Sequence, residues 1–98
     1  MAGRLEGKVA AITGAASGFG AGTTRRFIEE GGKVVMGDIQ DDAGQALADE
    51  LGDAAVYVHC DVTVEDEVAN MVDTAVSHFG QLDIMYNNAG VVGAVGPI

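Results

Sequence analysis

The sequence predicts an α/β fold, a parallel sheet held between two layers of helices. Three observations point there. Short apolar runs alternate with longer stretches of helical period along the chain, the pattern of strands joined by helical crossovers. The first run, Val9-Ala10-Ala11-Ile12, is apolar at every position rather than at alternate ones, as a strand buried on both faces requires. That run leads into a glycine-rich turn, Thr13-Gly14-Ala15-Ala16-Ser17-Gly18-Phe19-Gly20. A helical stretch follows, and then a second apolar run that ends on Asp38.

The first helix is expected from Gly18 to about Glu30. Phe27 and Ile28 supply its apolar weight, and Arg25, Arg26, Glu29 and Glu30 face water. Gly22 lies inside it at a cost of roughly 0.5–1 kcal/mol relative to alanine, which close approach to a strand or ligand would offset. Gly31-Gly32 stops it. Val34-Val35-Met36-Gly37 is the second strand. Asp41 or Asp42 caps the next helix, which runs to about Leu51 and buries Ala43, Ala46, Leu47 and Leu51. Val56-Tyr57-Val58-His59-Cys60 is the third strand. Thr63 is expected to cap a longer helix whose stripe is Val68, Val72, Ala75, Val76 and Phe79, flanked by Met71 and ended by Gly80. Leu82-Asp83-Ile84-Met85-Tyr86 is the fourth strand, and Val91 to Ile98 reads as loop. The order β-α-β-α-β-α-β is most economically a Rossmann-type three-layer sheet, strand order 3-2-1-4, with a ligand crevice beside strand 1 at the strands' C-terminal ends. No internal repeat or domain boundary interrupts it, so residues 1–98 are read as a single domain, one that is incomplete for a dinucleotide-binding fold.

Composition narrows the partners. The chain has 98 residues, 48% of them hydrophobic, a globular balance. Its formal net charge is -10, from 15 acids against 5 bases, which argues against nucleic acid or an anionic membrane as partner. The N-terminus lacks the basic and apolar regions of a signal peptide, and no run approaches a membrane span. Cys60 is the single cysteine, expected as a buried small hydrophobe, so a reducing, cytoplasmic setting is the default. No metal site is expected, and His59 and His78 read as bystanders rather than catalysts.

The chemistry concentrates in the turns after the strands. Gly14 allows a sharp exit from the first strand; Gly18 and Gly20 let backbone N–H groups at the helix start approach a pyrophosphate; Ser17 is placed to donate to a phosphate. A turn that merely packs tightly is the plainer alternative. Asp38 lies 18 residues past Gly20, near the spacing of a carboxylate that accepts both hydroxyls of an adenosine ribose and repels a 2'-phosphate. The pocket therefore reads NAD(H) rather than NADP(H), the plainer alternative being that Asp38 is an ordinary helix-leading acid. Asp61 and Val62 end the third strand on the same sheet edge, where the acid accepts from an adenine amino group or, alternatively, makes a capping contact with the next helix. Asn87 and Asn88, with Ala89 and Gly90, end the fourth strand, either as inter-strand ties beside the crevice or as a plain turn.

These four motifs together resemble the classical short-chain dehydrogenase/reductase family, in order, over nearly the whole chain, with Leu5-Glu6-Gly7-Lys8-Val9-Ala10 a typical opening. The resemblance implies that Gly14, Ser17, Gly18, Phe19 and Gly20 form the phosphate-side turn, Phe19 standing where the family usually has isoleucine or leucine. It implies that Asp38 is the NAD-selective acid, that Asp61 and Val62 contact adenine, that Asn88, Ala89 and Gly90 lie beside the cofactor riboses, and that Asn87 stabilises its strand. It also implies an NAD-dependent oxidoreductase acting on a small secondary alcohol or ketone, a homo-tetramer or dimer at full length. The tail through Pro97 and Ile98 resembles a subgroup that oxidises secondary alcohols, plant-like terpenoid and lignan alcohol dehydrogenases among them.

The departure is as informative. The family uses an Asn-Ser-Tyr-Lys set from its second half. Here Tyr57 and Tyr86 are the only tyrosines, and four residues beyond them stand Asp61 and Gly90, not lysine. A phenolic base needs a partner that lowers a pKa near 10, so no catalytic residue is expected in this chain. The expectation is the cofactor-binding N-terminal half of an oxidoreductase, inactive alone, with an apolar sheet edge where a fifth strand would lie. The alternatives are a truncated, non-catalytic dinucleotide-binding or interaction module and a fragment without function.

Overall fold

The computed structural model describes residues 4–88. Its elements are β1 (Val9–Thr13), α1 (Gly18–Glu29), β2 (Lys33–Asp38), α2 (Asp41–Leu51), β3 (Ala55–His59), α3 (Glu65–Phe79) and β4 (Ile84–Asn87), with one 3-10 turn over Gly52–Ala54. The four strands form one parallel sheet in the order β3-β2-β1-β4. The expected architecture is therefore observed. The tail, expected as loop, lies outside the described residues.

Side-chain alternation assigns the layers. Ala10, Ile12, Val34, Met36 and Ala55 meet Phe27, Leu47 and Ala48 of α1 and α2 on one face. Val9, Ala11 and Val35 meet Cys60, Met71 and Ala75 on the other, the last two from α3. The central strands β1 and β2 are thus buried on both sides, which is why they lack polar alternation. The chain order reverses between β1 and β4, so their C-terminal ends form the switch point of the sheet.

Several local expectations need correction. The buried stripe of α2 is Gly44, Leu47 and Ala48, with Leu51 half-buried; Ala43 and Ala46 are exposed. The Tyr57 ring lies against Gly44, and a Cβ at 44 would overlap it, so the smallest residue marks the contact that an apolar count overlooks. In α3 the fully buried residues are Met71 and Ala75, while Val72 and Val76 are exposed. Met71 takes the seam because its flexible thioether fills the space over Gly37. Neither later helix begins on its expected cap. The N-cap residues are Gln40 and Val64, without side-chain capping bonds, and Asp41 and Asp42 sit within the first turn of α2. Glu30, expected in water, is 8% exposed; its carboxylate accepts from Arg26 Nε at 3.4 Å and the Arg4 amide at 3.4 Å, which ties the lead-in to the end of α1.

The lower end of β4 is fastened to β1 by Asp83. Its Oδ2 accepts from the Val9 amide at 2.8 Å and from Gln81 Nε2 at 2.6 Å, and its own amide donates to the Val9 carbonyl. The Val9 amide, chiefly, and the Gln81 amide hold the Asp83 carboxyl below the usual carboxylate range. Among the described residues β4 is an edge strand of the sheet, with Ile84, Met85 and Tyr86 exposed.

Candidate functional site: the crevice between β1, β2 and α1

At the C-terminal end of β1, Gly14 turns the chain with φ of 66°, a conformation that glycine adopts without strain. The Ala15 amide donates to the Gly37 carbonyl, and the Ser17 amide to that of Gly14. α1 starts directly behind. Gly20 packs so closely on the turn that a Cβ there would overlap the Gly14 carbonyl. Gly22, by contrast, has open space at its Cβ position, so the close approach that would offset its cost belongs to Gly20.

The start of α1 differs from the other two helix starts. Its first turn holds no acid, whereas Asp41 and Asp42 lead α2 and Glu65, Asp66 and Glu67 lead α3. Ser17 is the N-cap residue but makes no side-chain cap; its hydroxyl points back to the Gly14 carbonyl at 3.4 Å. The leading amides of Gly18, Phe19 and Gly20 are therefore left for another acceptor, with the positive end of the helix dipole behind them. The Phe19 ring is 86% exposed.

Asp38 closes the crevice from the tip of β2. The residue is buried, 6% exposed. Oδ2 accepts from the Ala16 amide at 2.9 Å, and Oδ1 accepts from the Ile39 and Gln40 amides at 2.7 and 3.0 Å. The sequence placed this acid beside the crevice; the amide contacts that hold it there were not legible.

Across the top of β1, Thr13 Oγ1 donates to Asn87 Oδ1 at 2.8 Å and accepts from the Asn88 amide at 3.0 Å. Asn87 is thus the expected inter-strand tie, and it fixes the end of β4 at the switch point. Asn88 is half-buried beside Gly20. Ala89 and Gly90, also expected at the crevice, lie outside the described residues.

At the end of β3 the Asp61 carboxylate accepts from the Thr63 hydroxyl at 2.7 Å and the Thr63 amide at 2.9 Å. These two bonds, the hydroxyl first, hold its pKa below the ordinary value. Thr63 therefore closes an Asx turn before α3 instead of capping it. The Asp61 amide donates to Glu67 Oε1 at 2.8 Å. Val62 follows, half-buried. Cys60 is buried with a thiol pushed up, chiefly by burial, which leaves it inert.

His59 is more connected than its sequence position suggests. Nδ1 lies 2.8 Å from Asp41 Oδ1 and Nε2 lies 3.6 Å from Glu67 Oε1. The Tyr57 hydroxyl, 2.6 Å from both the Asp38 carbonyl and Asp41 Oδ1, joins the same group. Burial first, and then the Asp41 bond, raises the Tyr57 pKa, so this phenol is a donor and not a base.

Arg25, Arg26 and Lys33 are engaged elsewhere. Arg25 pairs with Glu50 at 2.7 Å, Arg26 with Glu30 at 3.4 Å, and Lys33, at the start of β2, lies 5.7 Å over the Phe79 ring. Among the described residues no group of His, Cys, Asp and Glu could hold a metal ion, and no helix is long and apolar enough to cross a membrane. An open, mostly apolar groove of about 590 Å³ adjoins the start of α1 between α1 and β4; Gly18 and Phe19 lie on its rim with Ile12, Phe27, Ile84 and Tyr86, and Arg26 also lines it. It reaches neither Asp38 nor Asp61.

Comparison with known proteins agrees with this layout. A family model described as short chain dehydrogenase matches residues 8–98. Tropinone reductase-like 2 of Erythroxylum coca is 65% identical over 89 residues, 91% of this chain and 32% of that protein. Secoisolariciresinol dehydrogenase of Forsythia intermedia is 51% identical over 92 residues, 93% of this chain and 33% of that protein. The crystal structure of 3-ketoacyl-(acyl-carrier-protein) reductase from Brucella melitensis complexed with NADH superposes with a TM-score of 0.79 at 48% identity, over 83% of this chain and 33% of that one. The chain spans about a third of the length of these relatives.

Proposed function

Since the chain belongs to the short-chain dehydrogenase family, we propose that it holds NAD(H) in the crevice, as the cofactor-binding part of an oxidoreductase acting on secondary alcohols or ketones. The observation that carries this reading is the start of α1. It alone among the three helix starts has no acid in its first turn, and it faces the tip of β2, where Asp38 is held by the Ala16 amide.

Each residue has a part in binding. The amides of Gly18, Phe19 and Gly20 and the Ser17 hydroxyl meet the pyrophosphate, Gly14 and Gly20 keeping the backbone close. Asp38 accepts an adenosine ribose hydroxyl at the Oδ2 lone pair that the Ala16 amide leaves over, since Oδ1 is taken by the Ile39 and Gln40 amides. The same carboxylate repels a 2'-phosphate, and Arg25 and Arg26 are already paired elsewhere, so NADH is preferred to NADPH. Asp61 and Val62 flank the adenine; Asn88, Ala89 and Gly90 run beside the riboses. When bound, the nicotinamide supplies or takes the hydride. This chain's residues bind and orient; neither tyrosine has a lysine placed to make it a base, so the proton-transferring set belongs to the remainder of a protein the length of its relatives.

The 98-residue chain is then a binding module without turnover of its own. In the whole protein, the exposed Val64 at the N-cap of α3 and Val72 and Val76 along it favour association into a dimer or tetramer. A reducing cytoplasmic setting suits the buried, free Cys60. Isothermal titration with NADH and NADPH tests the reading. Saturable binding of NADH that is at least about tenfold tighter than NADPH, a difference of about 1.4 kcal/mol, supports it; no binding of either, or preference for NADPH, overturns it.

A further inference from the structure

The bonds around His59 join three parts of the adenine side of the crevice. Asp41 belongs to the first turn of α2, Glu67 to the first turn of α3, and the imidazole at the end of β3 lies between their carboxylates, 2.8 Å from one and 3.6 Å from the other. Glu67 Oε1 in turn accepts the Asp61 amide at 2.8 Å. Asp61 opens the turn that precedes α3 and carries Val62 with it.

We propose that His59 is a positioning residue for the adenine end of the crevice: bridging Asp41 and Glu67, it holds the Asp61-Val62 turn in place through the Glu67 carboxylate. This deepens the dinucleotide reading above and rests on it. The titratable groups facing the imidazole are Asp41 from α2, Glu67 from α3, Asp61 from the turn, and the Tyr57 hydroxyl, which shares Asp41 Oδ1.

Chemistry gives the bridge a direction. A protonated imidazole has two N–H donors, one for each carboxylate. A neutral ring keeps its proton on Nδ1 for Asp41, the shorter contact, and turns the Nε2 lone pair toward Glu67. Deprotonation therefore replaces an attraction to Glu67 with a repulsion. The Asp41 bond, followed by the Asp41, Glu67 and Asp61 charges, raises the His59 pKa above 6.5, so the change falls on the alkaline side of that value.

The test has two arms on the whole chain. The first needs no ligand: the His59 ring and the Asp61 backbone amide are followed by NMR from about pH 6 to about pH 9. One shared titration midpoint, absent from the Asp61 amide in Glu67→Gln, supports the bridge; an Asp61 amide that ignores the His59 titration overturns it. The second arm measures ADP-ribose affinity over the same range. A loss of about twofold to fivefold with rising pH, the scale of a partly exposed ion pair, is expected, and it is flattened in His59→Gln and in Glu67→Gln, which keeps an acceptor for Asp61. Binding that is equally pH-dependent in both variants overturns the proposal. Failure of ADP-ribose to bind at any pH refutes the dinucleotide reading itself and leaves the first arm to judge the bridge.

Discussion

Asp38 Oδ2 takes the amide proton of Ala16 at 2.9 Å, across the C-terminal end of the sheet. One bond links the tip of β2 to the glycine turn after β1, so the proposed ribose acceptor and the proposed phosphate cradle are positioned together. Two further amides, of Ile39 and Gln40, fix the other carboxylate oxygen. A carboxylate so held needs little reorganisation when a sugar arrives, which is how a pre-set site gains affinity.

Asp38→Ala removes both the ribose acceptor and the tether. NADH affinity should fall by about tenfold or more, the scale of losing one charge-assisted hydrogen bond, while affinity for NADPH should fall less or rise. Titration of both nucleotides against the variant checks this. An unchanged NADH-to-NADPH ratio would remove Asp38 from the specificity argument.

The two glycines of α1 should respond in opposite senses. Gly20→Ala places a methyl group into the Gly14 carbonyl, a backbone atom that cannot swing aside; a loss of about 3 kcal/mol is expected, the upper part of the overpacking range. Gly22→Ala meets nothing and should gain about 0.5–1 kcal/mol from helix propensity. Urea denaturation of the pair distinguishes a glycine that is required from one that is tolerated.

Thr13→Val deprives the Asn88 amide of its acceptor and Asn87 Oδ1 of its donor. The expected cost is about 1 kcal/mol, the net value of a typical hydrogen bond, since exposed Asn87 and half-buried Asn88 regain water, with faster hydrogen exchange along β4. Thr13→Ser keeps the hydroxyl and should cost about 1 kcal/mol, near the value of one buried methyl group.

The Asp41–His59 pair gives stability a shallow pH dependence. The Tyr57 hydroxyl, chiefly, and then His59 depress the Asp41 pKa below 3.8, so its contribution is present above that value and is lost as pH falls through the depressed one. Asp41 raises the His59 pKa above 6.5, so that contribution is complete below 6.5 and is lost as pH rises through the raised value. The pair stabilises most between these limits. In His59→Gln, melting temperatures followed across neutral to alkaline pH should lose the alkaline decline specific to His59.

The alternation of buried strands and helices was legible because β1 and β2 are apolar on both faces and glycines punctuate the helix ends. The order of the strands followed from the glycine turn and the connection rules. Contacts that depend on small residues were not legible. Gly44 looks like a weak point in α2 until the Tyr57 ring is placed on it, and Met71 looks peripheral until Gly37 makes room for it. Helix starts were misplaced for a related reason: Asp61 and Thr63 bond to each other, which a one-dimensional capping pattern cannot register. The residues proposed to line the crevice stand out in the sequence as types at spacings, whereas the tether from Asp38 to Ala16 and the links of His59 join elements distant in sequence.

The most direct measurement is amide chemical-shift mapping of ADP-ribose on the isotope-labelled chain. Saturable shifts are expected at Ala16, Ser17, Gly18, Phe19 and Gly20, at Asp38 and Ile39, and at Asp61 and Val62, with little change at Val9 or Asp83. Shifts confined to Ile12, Phe27, Ile84 and Tyr86 of the apolar groove, with Asp38 and the α1 start undisturbed at saturation, would contradict the dinucleotide assignment.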